Sequence, residues 1–161
     1  MNLTAVTGAF AHVPTDWIIL FVVALLITLD ALRGGASRAI ALSLALPAAY
    51  VSSLLLPKTV FLDSILKPFS TGTAGAIIIL VMIAVLSFFT YRISRDYNSA
   101  SAVQATMAGL ATTVILAVFW MQIPALSALW HFSAQATQVF GSVHALFWLV
   151  GGFAVLSAVR S

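Results

Sequence analysis

An all-α, multi-pass membrane protein is the fold class this sequence predicts, and three observations predict it. The chain of 161 residues is 62% hydrophobic and 7% charged, with a mean hydropathy of +1.13. So few charges do not solvate a globular surface, which makes lipid the expected solvent. Apolar runs, uncharged except for Asp30, recur at about 17–32, 39–56, 73–91, 102–121 and 139–159, each near the ~20 residues a helix needs to cross a bilayer. The charges sort between those runs. If every run crosses, Arg33, Arg38, Arg92, Arg95 and Arg160 fall on one side, and Lys58 and Lys67 on the other. Cytoplasmic loops collect Lys and Arg, so the N-terminus is expected outside and the C-terminus inside. The reading is four to five transmembrane helices in a single membrane domain, 1–161.

Each segment has a local reason. Residues 1–15, with Gly8 and Pro14, read as a short outer tail. They lack a basic n-region and an apolar h-region, so the first span is expected to serve as its own targeting signal. Thr15 or Asp16 is placed to cap the first helix. That helix reaches Asp30 after roughly 21 Å, short of the ~30 Å hydrocarbon core. The turn Arg33-Gly34-Gly35-Ala36-Ser37-Arg38 supplies the glycine freedom a helix reversal needs. Pro47 interrupts, and is expected to kink, the second span. Pro57 and Pro68 bracket a short amphipathic segment with Lys58, Asp63 and Lys67, expected to lie in the outer interface. The third span ends at Tyr91 and Arg92, an aromatic and basic boundary. The fourth ends near Trp120, before an uncharged stretch that starts at Pro124. The last run contains Gly141, His144, Gly151 and Gly152 and reads either as a span or as a re-entrant segment.

Helices in lipid associate through small residues and shared hydrogen bonds. The second span carries Ser37, Ala41, Ala45, Ala49 and Ser53 at every fourth position, and the fourth carries Ser101, Ala105, Gly109, Thr113 and Ala117. The expectation is that these two stripes meet, or form a self-association face. The first and third spans present Ile, Leu, Val and Phe, as expected beside lipid, Ile79 among them.

Little catalytic chemistry is legible. Asp30 is the first candidate, because an intramembrane carboxylate is costly and often marks an ion path. The alternative, which is the expectation here, is an interfacial ion pair with Arg33 on the same helix face. His144 is expected to bond a neighbouring helix rather than relay protons. His12 and His131 lack ligand-spaced partners, so no metal site is expected. Cysteine is absent. No HExxH, GxSxG or phosphate-cradling loop occurs, and neither a catalytic residue nor a cofactor is predicted. The basic excess is too sparse for nucleic acid.

One stretch resembles a known family. Asp16-Trp17-Ile-Ile-Leu opens the first helix, Leu32-Arg33-Gly34 closes it, and Ala39-Ile40-Ala41-Leu42 begins the second. This resembles the first hairpin of the colicin V production protein family, small bacterial inner-membrane proteins. The clear match covers about 30 residues and a looser one about 105, including Met107-Ala108-Gly109-Leu110. The resemblance is that of a divergent member, since Ser37-Arg38 stands where the family usually has an acidic residue. It implies a non-enzymatic accessory or scaffold protein of the inner membrane, linked to toxin production, export or envelope function. It carries over Asp16 as the outer cap, Arg33 as the inner anchor and Gly34 as the turn. The expected partners are the bilayer and a second copy or other subunits of a membrane complex. Two alternatives stand beside it: a small channel or transporter subunit using Asp30 and His144, and a phage holin-like pore-former. Either needs a polar stripe, and only Gln104, Thr106, Thr112 and Thr113 on the fourth span offer one.

Overall fold

The computed structural model describes residues 14–55, 71–93 and 101–160. The amphipathic segment around Lys58 to Lys67, the N-terminal tail and the Arg95 loop lie outside the described residues. Those described are helical almost throughout: α1 (Thr15–Gly34), α2 (Ala36–Leu55), α3 (Thr71–Ile93), α4 (Ala102–Gln122), α5 (Pro124–Ser127), α6 (Ala134–Phe140) and α7 (Ser142–Arg160). Among them α1, α3, α4 and α7 are each long and apolar enough to cross a membrane, and α2 adds a shorter apolar stretch, Ala36–Ser52. The chain is therefore an all-α multi-pass membrane protein.

The fifth apolar run resolves into two pieces. Ser133 caps α6 by accepting from the Ala136 N–H, and the chain bends at Gly141 before α7 starts. From Ser142 onward α7 is continuous for 19 residues, long and apolar enough to cross a membrane. At the other junction the reversal is shorter than the Arg33–Arg38 turn expected. Gly35, with φ of 86°, is the one residue between α1 and α2. A left-handed φ is open to Gly at little cost, and it lets α2 begin at Ala36. The helix continues through Pro47.

One helix organises the rest. The apolar window of α4 is 56% buried, against 11% for α1 and 22% for α3 and α7. Most of α1, α3 and α7 faces outward, while protein surrounds α4, which packs on α1, α2 and α7. Glycine sets two of these contacts. A Cβ on Gly109 would stand 2.6 Å from Thr28 Oγ1 and 2.7 Å from Thr28 Cα, and one on Gly152 would stand 2.7 Å from Ile115 Cγ1. All three distances are shorter than side chains tolerate, so α1 and α7 approach α4 more closely than any larger residue permits.

The third contact of α4 is polar. Thr112 Oγ1 lies 2.8 Å from Ser43 Oγ and 3.0 Å from the Ala39 carbonyl of α2. The α2–α4 pairing expected from the sequence is present, but the stripes are not what meets. Ala41 and Ala45 flank Ser43 at two residues either side, about 160° round the helix from it. Arg38 shares that far face and touches Tyr91 of α3. The buried stripe Ser37, Ala41, Ala45 therefore turns to α3, and the Gly109 stripe of α4 turns to α1. Ser101 leaves its stripe altogether: it is exposed and caps α4 in a reciprocal pair with Gln104. Ile79, expected beside lipid, is only 4% exposed; with Ala76 and Ile83 it forms the i, i+3, i+7 face that α3 buries in the core.

Candidate functional site

Chemistry-bearing side chains gather at the two ends of the bundle and not along its middle. At one end, the start of α1 meets the connection from α4 to α7. Asp16 is buried there and does not cap its own helix; Pro14 precedes the first turn without a side-chain cap. Its carboxylate accepts instead from the Trp130 indole N–H at 3.1 Å and from the Ser133 backbone N–H. Trp120 in turn donates to the Trp130 carbonyl at 3.3 Å. A buried charged acceptor on two donors is among the stronger hydrogen-bond arrangements. It ties residues more than a hundred positions apart, a relation that spacing along the sequence does not reveal. Beneath it, Trp17, Phe140 and Trp148 pack in sequence, with ring centroids 6.2 and 5.4 Å apart.

His144 belongs to this end as well. It is exposed on the first turn of α7, and its Nδ1 lies 3.1 Å from the Gln138 carbonyl of α6. That local bond holds the bend at Gly141. The neighbour is the preceding short helix, not a separate span.

At the opposite end, Asp30 pairs with Arg38 and not with Arg33. Arg38 Nη1 lies 2.8 Å from Asp30 Oδ1, both side chains being about half exposed. The single-residue turn at Gly35 brings the start of α2 back beside the last turns of α1, so Arg38 reaches Asp30 across the hairpin. Gly34 has a different role from the one expected. The turn conformation belongs to Gly35, while a Cβ on Gly34 would collide with the Arg38 side chain. Gly34 thus clears the path by which Arg38 reaches Asp30. The Arg38 guanidinium also lies 5.6 Å from the centre of the Tyr91 ring, a cation–π distance. Arg33, in the last turn of α1, is exposed, the placement expected of an interfacial anchor.

Between the ends, the candidate polar stripe closes on itself. Thr106, Thr112 and Thr113 each donate to the carbonyl four residues back, Ala102, Ala108 and Gly109, at 2.8 to 2.9 Å. Gln104 is engaged in the cap of α4. Asp30 and His144 stand at opposite ends of the bundle, and the structure does not bring them together. Among the described residues no group of three or more His, Cys, Asp or Glu is arranged to hold a metal ion. Comparison with protein-family models, with curated proteins and with solved structures returned no match.

Proposed function

We propose that this chain is a non-enzymatic accessory or scaffold protein of the bacterial inner membrane, of the type the colicin V production resemblance implies. It acts in toxin production or export, or in envelope function, as a homo-oligomer or as one subunit of a membrane complex. The N-terminus lies outside and the Asp30–Arg38 end faces the cytoplasm, following the positive-inside rule. One observation carries this reading. The threonine hydroxyls of α4, the most buried helix, bond carbonyls of their own helix, and Thr112 also bonds Ser43 and Ala39 of α2, so the one candidate polar stripe is engaged within and between helices. A conducting path needs such groups turned toward water.

A flux assay tests the proposal. Wild type, Asp30→Asn and His144→Ala are reconstituted into proteoliposomes at matched protein levels, and proton and cation entry are recorded. No flux above that of protein-free vesicles is expected from any of the three. A wild-type flux lost in Asp30→Asn establishes the transporter reading. Unselective leakage of small solutes, indifferent to both substitutions, establishes the holin-like one.

A further inference from the structure

Among the described residues, the Arg38 end of the bundle has more cationic groups than the Asp30 carboxylate neutralises. Arg33, Arg38 and Arg92 are all exposed there, on the last turn of α1, the first turn of α2 and the last turn of α3. Asp30 is the acidic partner in contact with Arg38. Arg38 is also held in place: Asp30 takes one nitrogen, the Tyr91 ring lies beneath the guanidinium, and the bare backbone of Gly34 leaves room for the arm. A guanidinium carries five N–H donors in a fixed plane. Asp30 and Tyr91 engage only part of that set, and the side chain is about half exposed. Arg33 lies three residues beyond Asp30, on the same face of α1, and Arg92 follows Tyr91 on α3. Ordinary surface arginines lose rotamer freedom when they take up a ligand; Arg38 is already fixed.

We infer that this end is a binding site for the phosphate of an acidic phospholipid, with Arg38 as its fixed centre and Arg33 and Arg92 as its flanks. Arginine suits this ligand because its planar fork matches the phosphate oxygens. The aromatic ring of Tyr91 sits at headgroup depth beside it, as interfacial aromatics do. Asp30 has two effects: it orients Arg38, and it repels the incoming phosphate. Binding strength is set by that balance. The inference rests on the membrane-embedded fold and not on the scaffold role, so either can fail without the other.

The test counts lipids retained by the purified protein in native mass spectrometry, after equilibration with equal amounts of phosphatidylglycerol and phosphatidylcholine. Phosphatidylglycerol should be retained preferentially. Arg33→Gln and Arg92→Gln should each weaken retention about fivefold, the effect of one basic residue near a membrane surface. Arg33→Lys should keep most of it. Asp30→Asn gives the discriminating readout. Removing the repelling charge should strengthen retention by a similar factor, whereas a pair that serves the fold alone predicts no gain. Circular dichroism confirms that each variant remains helical; should Arg38→Gln fail to fold, the flanking variants and Asp30→Asn still decide. Equal retention of the two lipids, indifference to Arg33 and Arg92, or no gain in Asp30→Asn would overturn the inference.

Discussion

Gly109 of α4 faces Thr28 of α1 so closely that a methyl group added at Gly109 would lie 2.7 Å from the Thr28 Cα. The obstacle is backbone, which has no rotamer to move aside, so the two helices must separate. Gly109→Leu should cost on the order of 1–3 kcal/mol by overpacking. Gly151, on the outer face of α7, is the internal control, because nothing lies within 4 Å of a Cβ placed there. Gly151→Leu should leave stability near that of the wild type. Thermal unfolding in detergent, followed by circular dichroism, distinguishes the two; equal losses would contradict the α1–α4 contact.

The Ser43–Thr112 pair should show coupling across the α2–α4 interface. Interhelical hydrogen bonds in membranes average about 0.6 kcal/mol and reach about 1.7 kcal/mol. Ser43→Ala and Thr112→Val are expected to couple within that range in a double-mutant cycle. Thr113→Val is the contrast, since its hydroxyl bonds the Gly109 carbonyl of its own helix. It should not couple to Ser43.

Asp16→Asn should loosen the opposite end. The substitution keeps one oxygen but turns an NH2 group toward one of the two donors, Trp130 Nε1 or the Ser133 N–H. Both donors are only partly buried, so the loss should lie at or below the low end of the roughly 1–3 kcal/mol that an unpaired buried donor costs, about 1 kcal/mol. The expected result is faster protease cleavage within residues 128–133 and a red shift of tryptophan emission, with α1 still inserted. Unchanged cleavage and emission would mean that Asp16 does not hold this connection.

Asp30 and Arg38 are exposed enough for water to screen their pair. Asp30→Asn and Arg38→Gln are therefore expected to leave melting close to that of the wild type. Substituting Arg33 should have no effect on either variant beyond its own. A strong interaction between Asp30 and Arg33 in a double-mutant cycle would restore the partner expected from spacing and contradict the cross-hairpin pair.

The helices themselves were legible in the sequence because hydrophobic length is a local property. The run at 102–121 is α4 (Ala102–Gln122) almost to the residue, and 17–32 lies within α1 (Thr15–Gly34). Partners were not legible. Alanine every fourth residue says that a face is small, not which helix covers it, so the α2 stripe was paired with α4 when α3 covers it. The same limit hid the side-chain contacts at the ends. Asp30 bonds Arg38 because one glycine reverses the chain, and neither Gly34 nor Gly35 indicates from sequence alone which of them adopts the positive φ. Asp16 has every local mark of a cap, and only the fold brings Trp130 and Ser133 onto it. Ile79 is not distinguishable by sequence from a lipid-facing residue, because an apolar residue beside lipid and one in the core are chemically alike when lipid is the solvent.

Five crossings with the arginines inside is the topology that the proposed orientation predicts, and single-cysteine labelling tests it most directly. The chain has no native cysteine, so Ser64→Cys, Ser99→Cys and Ser161→Cys each report one position without background. A membrane-impermeant maleimide applied to intact cells should label position 64 and leave 99 and 161 protected until the membrane is opened. Labelling at 161 together with protection at 99 would remove the last crossing, and labelling at 99 with protection at 64 would invert the topology.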